Sequence, residues 1–158
     1  MARDAETAQR DSAAEETPAC PPLSRPTGKR PAPADPVSHT YTTDLSAIRA
    51  VVHRYAIKAG LAEARAIDLV LAVSEVAANT VRHAKSQGHL QISYDDKQIV
   101  CELHDEGVIT DPLAGRRRPS LEARGGHGLW IVNQVCDQVD ILSDATGTTI
   151  RLHMDLPG

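Results

Sequence analysis

One long apolar helix does most to limit what this chain can fold into. It is predicted from Leu61 to Ala84, where apolar residues recur at the spacing of helical turns. The apolar positions are Ile67, Val70, Leu71, Val73, Ala77, Ala78 and Val81. This broad apolar face predicts a central helix that packs on the core.

The same helix carries polar residues along one line. Leu71, Glu75, Asn79 and His83 are spaced by four residues, so they form a single slanting stripe on the helix surface. Burying an unpartnered carboxylate or amide costs about 1 to 3 kcal/mol, so the polar half of the stripe must face solvent or a binding site. The stripe alone favours solvent, because a glutamate and an asparagine at this spacing are common.

Shorter periodic segments surround this helix. A first helix is predicted after Asp44, which suits an N-cap, and Gly60 ends it. Alternating apolar residues predict one hairpin that turns at Asp95 and Asp96. After a long loop, a third helix begins near His127, and a second hairpin closes the chain.

The predicted order is helix, helix, strand, strand, loop, helix, strand, strand. Helices grouped on one face of a mostly antiparallel sheet form an α+β two-layer sandwich. The predicted turn of the second hairpin lies between Asp144 and Gly147.

The first 38 residues differ from the rest of the chain. Prolines, alanines and charged residues dominate them, and large apolar residues are almost absent. Such a segment cannot bury enough surface to offset the entropy of ordering it. We therefore predict a disordered tail at residues 1–38 and one domain at residues 39–158, with proline-rich recognition as the alternative role of the tail.

Charge and hydropathy exclude several classes of protein. The net charge of −4 gives no positive field for nucleic acid or an anionic membrane, and no apolar run is long enough for a membrane span. We therefore expect a cytoplasmic protein. Cys20, Cys101 and Cys136 form no CxxC pair, so neither a disulfide framework nor a zinc site is indicated.

Three short motifs follow the long helix. HDEG places Asp105 at a strand end, and Gly107 lets the backbone approach a flat ligand there. GGHGLW places Gly126 and Gly128 at the start of a helix, where backbone amides and the helix dipole can hold phosphates. Taken separately, the first motif is also typical of an ordinary turn and the second of a flexible hinge.

The third motif is GTT, at the start of the last strand. It contains Thr148 and Thr149, which are also simply good strand formers. The arginines at 116–118 lie in the long loop between the first two motifs. They could contact phosphates or an acidic partner, and a solvated charge run is an equal alternative.

In sequence order, SEVAANTVRHA, HDEG, GGHGLWIVNQV and GTTIRLHM resemble the motifs of a known family. They resemble the Bergerat-type ATP-binding fold of DNA gyrase, Hsp90, histidine kinases and MutL. Within that superfamily the chain is most similar to the bacterial anti-sigma factor serine/threonine kinases. The resemblance covers residues 40 to 156 and implies that ATP and Mg²⁺ bind.

The resemblance also implies a role for each matching residue. Glu75 would be the general base that takes the proton from an attacking hydroxyl, and Asn79 would hold magnesium. Asp105 would accept a hydrogen bond from the adenine amino group. The further nucleotide contacts that it implies are Gly107, Gly126, Gly128, Leu129 and one or both of Thr148 and Thr149.

The implied partners are a sigma factor and a STAS-type anti-sigma antagonist, and the resemblance also implies a homodimer. Three alternatives remain open at this point. The first is an ATP-binding regulatory module without turnover. The second is the catalytic domain of a histidine kinase, although His53 lacks the sequence context of an acceptor. The third is an interaction protein with a degenerate site.

Overall fold

The computed structural model describes residues 34–84, 87–110, 114–120 and 127–158. Within them, five strands form one antiparallel sheet in the order β1-β2-β3-β5-β4, together with three α-helices. The elements are β1 Ala34–Tyr41, α1 Ser46–Ala59, α2 Glu63–Asn79, β2 Gly88–Tyr94, β3 Gln98–Asp105, α3 His127–Val135, β4 Gln138–Asp144 and β5 Gly147–Asp155. The predicted α+β architecture is confirmed.

Strand β1 was not predicted, and it forms one edge of the sheet beside β2. Residues 34–38, which we had assigned to the tail, are therefore part of the sheet, whereas residues 1–33 lie outside the described residues. Pro36 argues against a strand in the sequence, because proline has no backbone N–H to donate. An edge strand tolerates proline, because one of its sides has no neighbouring strand to pair with. Val37, His39 and Tyr41 alternate with exposed neighbours, as expected for a strand with one buried face.

The buried face of helix α2 overlaps only in part with the predicted one: Val73 and Ala77 are buried as predicted, and two other predicted residues are not. Ile67 and Leu71 were expected in the core, yet they are 55% and 40% exposed. The buried residues of α2 are Ala66, Leu69, Ala72, Val73, Val76 and Ala77. Because half of these side chains are alanines, the helix packs closely on the sheet. Glu75 and Asn79 lie along its half-buried flank.

Helix α2 also ends earlier than predicted. The α-helix stops at Asn79, and a π-helical turn follows at Thr80–Ala84. Such wide turns are rare, and they occur frequently at functional sites. Here the turn begins directly after a candidate site residue.

Both predicted hairpins are present. Asp95 closes the first turn by accepting hydrogen bonds from the backbone N–H groups of Lys97 and Gln98, at 2.7 and 2.9 Å. Asp144 closes the second by accepting from the Thr146 N–H at 2.7 Å. These backbone donors hold the pKa of each carboxyl below its usual value, with the Thr146 hydroxyl the larger cause at Asp144.

Helix α3 packs beside α2. Arg65 on α2 clamps the far end of α3, since its guanidinium donates to the Val135 carbonyl and to Asp137, each at 2.7 Å. The clamp fixes how the first turn of α3 lies against the middle of α2. No helix in the described part of the chain has the length and apolar character that a membrane crossing requires.

Candidate functional site

Asp105 is held by one hydrogen bond on each oxygen of its carboxylate. It lies at the end of β3, where its Oδ1 accepts the backbone N–H of Gly107 at 2.7 Å. Its Oδ2 accepts the hydroxyl of Thr80 at 2.6 Å. The carboxylate is thus held in one orientation by the loop after β3 and by the π-helical turn after α2.

Thr80 is itself supported by Tyr41. The Tyr41 hydroxyl lies 3.0 Å from Thr80 Oγ1, and both residues are buried. Thr80 has one hydroxyl proton, which it donates to the carboxylate, so Tyr41 must donate to Thr80. Burial raises the pKa of Tyr41, which keeps its hydroxyl protonated as this arrangement requires.

A second hydrogen-bond chain fixes the loop after Asp105. Thr148 is 3% exposed and donates to the Gly107 carbonyl at 2.7 Å. Because its only proton is used there, Ser143 donates to Thr148 at 2.7 Å. Ser143 in turn accepts the backbone N–H of Ile109 at 2.8 Å, so the loop is tied at two points to the β4–β5 hairpin.

The structure separates the two candidate threonines. Thr148 is the partner of Asp105 in the β3–β5 register and faces the loop at Gly107. Thr149 points to the opposite face of the sheet, where its hydroxyl lies 2.9 Å from His104 Nδ1. Successive strand residues alternate between faces, so only one of the pair can lie in the site.

The close approach of β5 to β3 depends on Gly147. Its φ of +143° lies in a region that side chains rarely adopt, and a Cβ there would collide with the backbone carbonyl of Asp105. The glycine of the GTT motif is therefore required by the backbone path beside Asp105.

Glu75 and Asn79 lie on consecutive turns of α2 and are both half-buried. The start of α3 lies against Glu75, because a Cβ on Gly128 would be 2.7 Å from the Glu75 Oε2 atom. Asn79 is followed directly by Thr80, and so it lies next to the Asp105 cluster. These two helices place a carboxylate, an amide and a helix N-terminus in one region.

Residues 114–120 of the long loop lie against the outer side of α3. Gly115 has a φ of +74°, and its carbonyl accepts the Asn133 amide at 3.2 Å. Leu129 packs beneath Gly115 and on the core, so it supports the loop. The Arg118 guanidinium lies 6.0 Å from the centre of the Trp130 ring, a cation–π contact.

Gly126 is outside the described residues. Cys101 and Cys136 are buried free thiols, and burial raises the pKa of Cys136 to about 12, so neither is a reactive thiolate.

The residues present fit magnesium bound to a nucleotide. Mg²⁺ in such sites takes one or two protein oxygens and completes its octahedron with phosphates and water. The Asn79 amide oxygen, half-buried at the end of α2, is a ligand of that kind. In the described ranges, no group of three or more His, Cys, Asp or Glu residues is arranged to hold a metal by itself.

Sequence reasoning missed three residues of the site: Tyr41, Thr80 and Ser143. Thr80 could have been found, because it follows Asn79 and a threonine in an otherwise apolar helix needs a partner. Tyr41 and Ser143 gave no signal, because their contacts with Thr80 and Ile109 join residues that are 39 and 34 positions apart in the sequence.

The comparisons with known proteins identify the family of the chain. Residues 38–154 match the family model of the histidine kinase-like ATPase domain. None of the curated proteins compared with the chain matches it.

The chain is similar to two solved structures, of which the first has a TM-score above 0.5 and supports the fold. The first contains the RsbU and RsbW domains of Rv1364c from Mycobacterium tuberculosis, with a TM-score of 0.57 and 19% identity over 79% of this chain and 34% of that chain. The second is the histidine kinase domain of a blue-light activated histidine kinase from Erythrobacter litoralis, with a TM-score of 0.47 and 20% identity over 71% of this chain and 59% of that chain. This chain thus spans less than two thirds of either one. The family match covers most of the chain, which therefore belongs to the histidine kinase-like ATPase domain family.

Proposed function

We propose that the chain is an ATP-dependent serine/threonine protein kinase of the anti-sigma factor type. In this role it sequesters a sigma factor and phosphorylates a STAS-type antagonist. The hydrogen bond from Thr80 to Asp105, at 2.6 Å, carries the proposal. Thr80 directly follows Asn79, so this bond ties the end of α2, which carries the residue expected to hold the metal, to the residue expected to bind adenine.

The nucleotide would lie between these two groups. Asp105 accepts the adenine amino group, and the loop at Gly107, held by Thr148, lies against the base. The phosphates extend toward the start of α3 at Gly128, where the first backbone N–H groups of the helix and the helix dipole favour negative charge. By resemblance, Gly126 adds a further amide there.

The chemistry assigned to this site is phosphoryl transfer. Glu75 takes the proton of a serine or threonine hydroxyl, the oxygen bonds to the γ-phosphorus, and the bond to the bridging oxygen breaks, which releases ADP. Magnesium held by Asn79 and the phosphates supplies charge neutralisation. The chain itself orients the hydroxyl, holds the base and receives the proton.

The place of Glu75 favours an enzyme over a module that only binds ATP. A carboxylate beside a triphosphate weakens binding through charge repulsion, so a protein that only binds ATP would gain nothing from Glu75 at this position. The start of α3 is built around this side chain, since Gly128 leaves the space that Glu75 Oε2 uses.

The test is transfer from γ-labelled ATP with Mg²⁺ to purified STAS-domain proteins of the same organism. Glu75→Ala and Asp105→Asn serve as matched controls, and calorimetry measures ATP binding by all three proteins. We expect transfer by the natural chain, binding without transfer by Glu75→Ala, and greatly weakened binding by Asp105→Asn. Sigma-factor capture is measured separately by co-elution.

The label itself separates the alternatives. Phosphoserine or phosphothreonine survives acid, whereas phosphohistidine does not, so acid-labile label would identify a histidine kinase. ATP binding without transfer to any STAS-domain protein would indicate a regulatory module. Transfer at the normal rate by Glu75→Ala would show that Glu75 is not the base.

A further inference from the structure

Tyr41 belongs to none of the sequence motifs, yet its hydroxyl belongs to the hydrogen-bond network of the candidate site. It is the last residue of β1 and is 3% exposed. Its hydroxyl donates to Thr80, and Thr80 donates to Asp105 Oδ2, at 3.0 and 2.6 Å. Tyr41 therefore lies at the outer end of a chain of two hydroxyls that stops on the carboxylate.

The fold leaves a specific space for this ring. Tyr41 pairs with Gly88 in the β1–β2 register, and a Cβ on Gly88 would collide with the far end of the Tyr41 ring. The ring thus crosses over the neighbouring strand, which directs its hydroxyl away from the sheet edge and toward α2. A side chain at Gly88 would close this route.

The hydroxyl chain has a preferred direction. Thr80 has a second acceptor within reach, the Val76 carbonyl at 3.4 Å, which is the ordinary partner of a threonine on a helix. A hydroxyl that receives a hydrogen bond donates a stronger one, so the Tyr41 donor strengthens the shorter bond to Asp105. Without the Tyr41 donor, the hydrogen bond from Thr80 to Asp105 is weaker, and the Thr80 hydroxyl turns more readily to the Val76 carbonyl.

This hydroxyl chain determines which ligand groups Asp105 can bind. Protein donors already approach both carboxylate oxygens, from Gly107 and from Thr80. Held in this orientation, the Asp105 carboxylate can only accept hydrogen bonds from a ligand. A 6-aminopurine supplies a donor at that point, whereas a 6-oxopurine places an acceptor there and leaves two facing acceptors unpaired.

We propose that Tyr41, acting through Thr80, is a positioning residue that makes the site select adenine nucleotides over 6-oxopurine nucleotides. The inference rests on the nucleotide-binding function proposed above and adds a selectivity device to it. Tyr41 does not touch the nucleotide. It fixes the orientation and acceptor character of the group that does.

The test compares ATP with inosine triphosphate, which carries an oxygen in place of the 6-amino group. Dissociation constants of both Mg²⁺ complexes are measured by calorimetry for the natural chain and for Tyr41→Phe, which removes only the hydroxyl. Thr80→Val interrupts the chain at its second member, and Thr80→Ser keeps a hydroxyl there. Tyr94→Phe is the matched control, because Tyr94 is a buried tyrosine on the adjacent strand β2.

We expect the preference for ATP over inosine triphosphate to fall about tenfold in Tyr41→Phe and at least as far in Thr80→Val. Thr80→Ser and Tyr94→Phe should keep the natural preference. An unchanged preference in both Tyr41→Phe and Thr80→Val would overturn the inference, and so would an equal loss of affinity for both nucleotides. If the natural chain bound neither nucleotide, the proposed function itself would fall.

Discussion

The two ends of the candidate site are built in different ways. At the proposed adenine end, Asp105 is fixed by hydrogen bonds from Thr80 and Gly107. Two hydroxyl chains extend from there, a buried one to β1 and a partly buried one to the β4–β5 hairpin. At the phosphate end, Glu75 and Asn79 are half-buried side chains on one helix, next to a glycine that leaves room for one of them.

This difference shows which part of the site is fixed before a ligand binds. A buried polar network is costly unless every member is satisfied, so the adenine end has little freedom to rearrange. A long carboxylate side chain beside a glycine can move at small cost. We infer that base recognition is set by the fold and that the catalytic end is adjusted by small side-chain movements.

The largest effect is expected from Gly147→Ala, at the adenine end. The new Cβ would meet the backbone carbonyl of Asp105, which cannot move without moving β3, and the φ of +143° adds strain. We expect a loss of about 3 kcal/mol in the free energy of unfolding and a severe loss of ATP binding. Chemical denaturation and calorimetry measure the two.

Gly60→Ala is the control for that prediction. Gly60 also has a positive φ, +109°, but nothing lies within 4 Å of a Cβ placed there. Gly60→Ala should lower the free energy of unfolding by about 1 kcal/mol, through backbone strain alone, and ATP binding should be unchanged. Equal costs for the two substitutions would show that the adenine end is no more tightly built than a helix cap.

The contrast also explains how much could be predicted from the sequence. The α+β fold and both hairpins followed from periodicity. The candidates Glu75, Asn79 and Asp105 followed from the resemblance of short motifs to a known family. The choice between Thr148 and Thr149 did not, because it depends on which residue pairs with Asp105 across the sheet. A register shift of one residue reverses that choice.

The supporting residues were harder to predict for the same reason. Tyr41 is 39 residues from Thr80 in sequence. It lies on an edge strand that contains a proline, so the strand was not predicted. The exposure of Ile67 was also unpredictable, because a broad apolar face does not indicate which of its sides meets the sheet. Local patterns identify candidate ligand-contacting residues, whereas the residues that hold these candidates in place depend on tertiary pairing.

A middle-sized effect is expected from Gly128→Ala, at the phosphate end. Here the Cβ would be 2.7 Å from Glu75 Oε2, the far end of a flexible side chain, so the carboxylate moves and the backbone stays. Alanine also favours the helix by about 0.5 to 1 kcal/mol. We expect equal or higher stability and phosphoryl transfer reduced about tenfold, which is the kind of loss that misplacing a base produces.

The readout is a transfer assay at saturating ATP, with a thermal melt of each variant. Combining Gly128→Ala with Glu75→Ala should reduce transfer no further than Glu75→Ala alone, because both substitutions act through one carboxylate. Additive losses would mean that Gly128 has a separate role, such as contact with the phosphates. A strong loss of stability would contradict the idea that this end is adjustable.

The smallest effect is expected from Ser143→Ala, which interrupts the second hydroxyl chain. The Ile109 N–H loses its acceptor and Thr148 loses its donor, so the loop after Asp105 is tied less firmly. We expect a loss of about 1 kcal/mol in stability, and ATP affinity a few-fold lower. Thr149→Val is the control: its hydroxyl bonds to His104 on the opposite face, so ATP affinity should not change. If Thr149→Val weakened ATP binding more than Ser143→Ala did, the assignment of Thr148 to the site would have to be abandoned.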